Sequence, residues 1–321
     1  IGGIWSARAD TVTYEMVAVG DAGNAASTTG YGAVGYAYTI GKYDVTIGQY
    51  TTFLNAVAAA DPYGLYATGL DWNTNVSGIS RSGSPGSYTY SVIDNAGSSA
   101  NRPVTYVNWF DAARFANWMA NGQPTGTASA TTTEDGVYAL NGATSGDAPA
   151  KNATNPNTSA VPTYWIPTEN EWYKAAYYQP TASGGPSDSY WAYATRSDSA
   201  PGNTVGSAAN QANYYVGTAP NGNYTTGGGS YSNSQNYLTE VGAFTGSASY
   251  YGTFDQSGLV HQWNDLDGTA GSTRGVRGGY WESAAYNLSS AFHFDIGPSA
   301  YQNGNLGFRL SGQSSTPVPE I

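Results

Sequence analysis

The sequence predicts a single irregular α+β domain, and three observations predict it. Three segments carry helix-start chemistry, short aromatic and β-branched runs lie between Gly/Asn/Ser turns, and long polar stretches join them. The first strand candidate is "YAYTIGKYDV" (36–45). It leads into "VTIGQYTTFLNAVAA", where Thr46 stands three residues before Gln49 as a capping box, and Tyr50, Phe53, Leu54 and Val57 recur at helical spacing. "GSYTYSVI" (86–93) reads as a strand. In "VNWFDAARFANWMANG" Asn108 caps, Asp111 suits the first turn, Ala112, Phe115, Ala116 and Met119 form one face, and Gly122 ends the helix. "TYWIP" (163–167) is a strand before "IPTENEWYKAAYYQP", which is capped by Thr168, boxed by Glu171 and stopped by Pro180. "GLVHQW", "RGVRGGYW" (274–281) and "LGFRLSG" (306–312) supply the last strands. The stretches from "NGQPTGTASATTTEDG" through "KNATNPNTSAVP", and "TAPNGNYTTGGGSYSNSQNY", read as loops, and neither a tandem repeat nor a shift of composition marks a domain boundary.

Composition excludes several classes of function. The absence of cysteine removes disulfides, thiolate metal sites and a thiol nucleophile together. A net charge of -11, with 11 Lys and Arg, argues against nucleic acid and anionic membranes, which select clustered cations. Low charge with 42 glycines and 28 tyrosines is the composition of secreted surface proteins, so an extracellular location is expected. No run approaches the roughly 18 apolar residues that span a bilayer, and no basic-then-apolar leader opens the chain. Numbering from Ile1 is read as a processed chain, with both ends expected to pack on the domain or on a neighbour.

Six ordered motifs, "IGKYDVTIGQYTTFLNAV", "RPVTYVNWFDAARFANWM", "YWIPTENEWYKAA", "GLVHQW", "RGVRGGYW" and "NLGFRL", resemble those of the formylglycine-generating enzymes, also called sulfatase-modifying factors. The resemblance implies a variant of the C-type lectin fold over 40–312, with 1–39 as an N-terminal extension of the same domain and 313–321 as a tail. The final "TPVPEI" resembles the start of an exosortase sorting signal. In the enzymes two cysteines shortly after the Gly-Gly bind copper; here those positions are Ser283 and Leu288. Soft copper(I) wants sulfur, so no catalytic residue is assigned. A three-histidine iron site of a related branch cannot be assembled from His261 and His293. The family's calcium-binding Asn and Glu in its "GNVWEW" motif correspond to Leu259 and Gln262, and a second calcium site is a candidate at Asn213 and Tyr214. No cofactor is required, and structural calcium is the one metal left open.

Other chemistry reads as structure. Glu169 and Glu171 sit in a helix first turn, Glu134-Asp135 is expected to be solvated, "NDLDG" (264–268) is a polar turn, and His261 is a packed aromatic substitute. The segment after the Gly-Gly remains. In retroelement-diversified lectin-like proteins the equivalent segment is a binding face, which implies a contact surface here of Tyr280, Ser283, Tyr286, Phe292, His293, Phe294, Asp295, Ile296 and Tyr301. Trp281 is assigned to the core. Rigid aromatics with small polar neighbours suit recognition. The functional expectation is a non-catalytic, extracellular structural or adhesive protein of a bacterial surface or matrix. It is expected to self-assemble as a filament or sheath subunit, with itself as partner. The alternatives are a lectin-like module binding a glycan or foreign protein through 280–301, and an enzyme of unidentified chemistry.

Overall fold

The structure, a computed structural model, describes residues 11–217, 222–296 and 300–314, with backbone only at positions 295 and 296. The expected packing of the chain ends and the sorting-type tail falls largely on residues outside this set.

Capping chemistry built the three expected helices. Helix α1 (Ile47–Val57) starts at Thr46, whose side chain accepts from Gln49 N while the Gln49 side chain accepts from Thr46 N. A four-residue α2 (Gly69–Trp72), not expected from the sequence, comes next. Helix α3 (Trp109–Ala120) repeats the reciprocal box with Asn108 and Asp111, and α4 (Glu169–Tyr177) does so with Thr168 and Glu171. Gly122, two residues beyond α3, has φ +83°, the left-handed conformation that ends a helix.

Three small sheets complete the architecture. Strands β1 (Met16–Val19), β2 (Tyr38–Gly41), β5 (Tyr164–Trp165) and β10 (Ser311–Gln313) form an antiparallel sheet in the order β1-β2-β10-β5. Residues before position 40 are thus hydrogen-bonded to the C-terminal strand through β2. Strands β3 (Ile79–Ser82) and β4 (Thr89–Val92) make a hairpin. Strands β6 (His261–Asn264), β7 (Arg274–Arg277), β8 (Phe294–Ile296) and β9 (Leu306–Gly307) form the third sheet, with β9 parallel to β6. Strands β1, β3 and β8 were not legible: each has four residues or fewer and lacks a clean alternation. Among the described residues no helix is long and apolar enough to cross a membrane.

The core gathers Tyr50 and Phe53 of α1, Phe115 and Trp118 of α3, and Phe308 into mutual ring contacts 5.3 to 6.5 Å apart. One face of α3 was expected to be buried, yet all twelve of its residues are. The long loop 122–162 wraps its polar side. Asn117 Nδ2 donates to Thr133 O and Tyr138 O, Asn117 Oδ1 accepts from Tyr138 N, and Arg114 grips Glu134 through bonds of 2.8 and 2.9 Å. Glu134, on a π-helical turn (Ala130–Glu134), is therefore buried rather than solvated. Side-chain amides satisfying buried loop backbone are what allow so long an irregular connection inside a compact domain.

Two buried polar knots join the layers. Asp265 accepts from Trp109 Nε1 at 2.7 Å and Tyr138 Oη at 2.6 Å, and Arg274 Nε lies 3.1 Å away, paired by charge rather than by an aligned hydrogen bond. "NDLDG" is thus a turn whose Asn264 and Asp265 are core anchors. In the second knot Gln262 Oε1 accepts from Trp172 Nε1 and Arg309 Nε, both at 2.7 Å. Arg309 also donates to Gly41 O, Phe254 O and Asp44 Oδ1.

Candidate recognition site

The turn at Gly278-Gly279 sets the course of the chain beyond it. Both glycines have positive φ, +97° and +72°, and a Cβ on Gly279 would sit 2.7 Å from Leu288 Cδ1. Only glycine lets the chain fold back this closely. Just beyond, Ser283 is buried, its Oγ accepting from Tyr280 N at 3.0 Å. Leu288 ends a 3-10 turn (Ala285–Leu288) and packs with Ala212 and Tyr214 in an apolar cluster. The positions that resemble the enzymes' copper ligands thus hold an inward hydroxyl and a core leucine. This donor set, a hydroxyl and a hydrocarbon, does not fit copper(I), which prefers soft sulfur ligands.

The expected contact face separates into three parts. Tyr286 and Phe294 are 64% and 54% exposed, Phe292 stands edge-on to Tyr286 at 5.6 Å, and His293 is exposed with its ring 5.5 Å from Tyr31. These form an outer aromatic patch, and Tyr301 is exposed at 42%. Tyr280 is half-buried, between His261 at 5.2 Å and Trp281 at 5.9 Å. Ser283 is a correction: its hydroxyl is spent on the Tyr280 turn, so it does not belong to an exposed face. Asp295 and Ile296 pair with Gly275 and Arg274 through the backbone of β8, and their side chains lie outside the described residues.

Tyr280 instead lines a concavity of about 220 Å³ whose other walls the sequence did not indicate. Asn73 and Asn75 come from the turn after α2, Tyr231 from the long Gly/Ser/Asn loop, Trp281 and Glu282 from the segment after the Gly-Gly, and Asn303 and Asn305 from the approach to β9. The one local hint is that carboxamides cluster in "WNTN" and "QNGN". Trp281, assigned to the core, is buried at 7% exposure and also lines this pocket.

The calcium candidates show a partial donor set. Asn213 Nδ2 donates to Tyr237 O and Thr239 Oγ1, leaving Asn213 Oδ1 buried with no partner. Tyr214 O is approached by Thr225 Oγ1 at 3.5 Å. These neighbours are neutral, whereas calcium is held by six to eight oxygens that include carboxylates, and among the described residues no group of three His, Cys, Asp or Glu could hold a metal. The site does not fit a tightly bound calcium ion. At the other family position Leu259 is core, held at φ +68°, and Gln262 is committed to Trp172 and Arg309. Left-handed φ is strained for leucine and natural for asparagine, so Leu259 is held in this conformation by its burial in the core.

Five of the titratable groups are buried structural parts: His261, Asp44, Asp111, Asp255 and Asp265. His261 is pushed down to about 4 by burial and is neutral at pH 7. Burial raises the carboxyls of Asp44 to about 8, Asp111 to about 7, and Asp255 and Asp265 to about 6. Each holds its proton more tightly folded than unfolded. The stability this adds is complete below the unfolded value near 3.8 and is lost as pH rises through about 6 to 8. The melting temperature is therefore expected to rise as pH falls from 8 to 5, which calorimetry reads directly; a steady fall over that interval would contradict the burial of these acids.

The profile of the sulfatase-modifying factor enzyme 1-like domain matches residues 14–313. Among solved structures, Treponema denticola variable protein 1 aligns over 96% of this chain and 98% of its own at 17% identity, with a TM-score of 0.47. CarF aligns over 94% and 99% at 19% identity and 0.49, and PvdO from Pseudomonas aeruginosa over 95% and 92% at 14% and 0.45. No curated protein sequence matches. With the profile running over almost its entire length, the chain belongs to the sulfatase-modifying factor enzyme 1-like family, and its fold is the formylglycine-generating-enzyme-like α+β variant of the C-type lectin fold.

Proposed function

We propose that this chain is a non-catalytic, extracellular structural and adhesive protein of a bacterial surface or matrix, which assembles with copies of itself. The observation that carries this reading is the division of the segment after Gly278-Gly279. Its inward positions, Ser283 and Leu288, are filled by packing, and its outward rings, Tyr286 and Phe294, are open to solvent. Further exposed rings at Trp72, Tyr231 and Tyr36, on a surface poor in charge, favour contacts between copies, because interfaces enrich aromatics and deplete charge.

Neither copper nor calcium is required in this reading. Electron microscopy of the purified protein across concentrations is expected to show regular polymers, unchanged by chelator, and Tyr286→Asp with Phe294→Asp is expected to disperse them. Monodisperse wild-type protein at every concentration would overturn self-assembly. Stoichiometric copper uptake with oxidation of a cysteine peptide would overturn the non-catalytic assignment. A melting temperature lowered by chelator would restore calcium at Asn213 and Tyr214. The concavity at Tyr280 and Trp281 favours a second reading, a ligand-binding module, in which one pocket rather than a face carries recognition.

A further inference from the structure

Strand β1 ends the first sheet, with β2 on one side and, among the described residues, no strand on the other. Hydrogen bonds fix which of its backbone groups face outward. Glu15 O accepts from Lys42 N at 2.9 Å, and Gly41 N turns away to Leu310 O at 2.8 Å. Antiparallel pairing alternates from there, so Glu15, Val17 and Val19 bond to β2, while Met16 and Ala18 direct their N–H and C=O groups off the sheet. None of these outward groups has a hydrogen bond among the described residues. Ala18 is exposed, and Met16 and Val17 are half-buried.

A free strand edge is a template for another strand, and proteins blunt it with a charge, a proline, a bulge or a cover. In the β3–β4 hairpin the outward residue Tyr90 is covered: Asn55 Nδ2 donates to Tyr90 O at 2.8 Å, and Asn55 Oδ1 accepts from Tyr90 N at 2.9 Å. Strand β1 has none of these devices. Residues 16–20, "MVAVG", form an uncharged window between Glu15 and Asp21 in a chain of net charge -11. Copies of so acidic a chain repel one another, so a contact between them is favoured where no acid lies.

We propose that β1 pairs antiparallel with β1 of a second copy, about a two-fold axis at Val17. Only this register pairs each outward residue with the other, Met16 with the partner's Ala18 and Ala18 with the partner's Met16, so that all the free groups are used. It also sets Val17 against the partner's Val17, a β-branched cross-strand contact, and Glu15 against the partner's Val19. Sliding the strands until Ala18 faces the partner's Ala18 would bring Glu15 opposite the partner's Asp21, which is repulsive. The inference rests on the self-assembly reading above and adds a second contact to it. A two-fold contact through one patch closes at a dimer. Two different two-fold contacts, the ring patch at Tyr286 and Phe294 and the edge of β1, string copies into an open polymer.

Sedimentation velocity tests this on the Tyr286→Asp, Phe294→Asp protein, in which the β1 contact is left. That protein is expected to sediment as a dimer. Adding Ala18→Pro removes an outward N–H at an edge position, where proline is tolerated; with an unchanged melting transition, it should weaken the dimer about tenfold or more. Adding Val17→Cys instead reads the register, because the chain has no other cysteine. Facing residues at such a non-hydrogen-bonded position lie about 4.5 Å apart, within disulfide reach. Diamide is expected to link this protein into a covalent dimer and to leave a Val161→Cys control, at an exposed site, mostly unlinked on denaturing gels. A dimer indifferent to Ala18→Pro, or equal cross-linking at 17 and 161, would overturn the β1 contact. So would a Tyr286→Asp, Phe294→Asp protein that is monomeric at every concentration; if the wild-type protein still forms polymers, the self-assembly reading stands without β1. Wild-type protein that never passes the dimer, with Val17→Cys still cross-linking, would keep the β1 contact and sink the polymer.

Discussion

Asp265→Ala is expected to destabilise the fold by about 3–5 kcal/mol at pH 7, the cost of stripping one partner from a buried ion pair. The carboxylate is shared by three donors from separate elements: Trp109 of α3, Tyr138 of the long loop and Arg274 of β7. Tyr138 Oη also accepts from Ile166 N beside β5, so four parts of the chain meet here. Alanine leaves the Arg274 guanidinium, which lies 4.7 Å from the Trp109 ring, buried without its counter-charge, and leaves two donors unpaired. The melting temperature should fall by on the order of 10 °C. Asp265→Asn keeps one acceptor and should lose less. Asp267→Ala, two residues on at an exposed turn, should shift it by no more than about 2 °C. Equal shifts at 265 and 267 would show that the buried network does not anchor the layers.

Arg309→Met is expected to be comparably damaging, about 3–5 kcal/mol, for a different reason. Arg309 is fully buried and spends its donors on Gln262 Oε1, Gly41 O, Phe254 O and Asp44 Oδ1. Methionine fills the volume but orphans two buried carbonyls and a carboxyl. Asp44, already raised to about 8, answers by binding a proton more tightly, which removes the charge but not the unpaired backbone. Arg309→Lys should recover only part of the loss, because a single ammonium cannot span the planar fork of contacts. Urea unfolding of the three proteins reads this ranking, and full recovery by lysine would mean that charge alone matters at this position.

Much of the secondary structure was legible because its determinants are local. A capping box joins residues three apart, so Thr46 with Gln49, Asn108 with Asp111 and Thr168 with Glu171 announce their helices whatever surrounds them. The aromatic residues of β2, β4 and β5 and the turn-bounded run that holds β7 were readable for a similar reason, and so was the absence of cysteine, with Ser283 and Leu288 at the positions that resemble the enzymes' copper ligands. Burial of polar residues was not legible. Glu134 reads as a loop acid until Arg114 closes on it, and "NDLDG" reads as a surface turn until Trp109, distant in sequence, presents its indole N–H.

The contact face divided for the same physical reason. Composition marked 280–301 as rich in rings, but the sequence does not say which rings face inward, and Ser283 and Tyr286, one 3-10 turn apart, went opposite ways. The pocket at Trp281 is wholly a product of tertiary structure. Its walls come from four separate stretches of chain, none of them unusual by itself. The sequence by itself determined the helices, the family likeness and the absence of thiol ligands, because each of these is written in the residues themselves and their near neighbours. Only the folded chain decided which polar groups are buried, and therefore which are spent on the fold, because their partners come from elements distant in sequence.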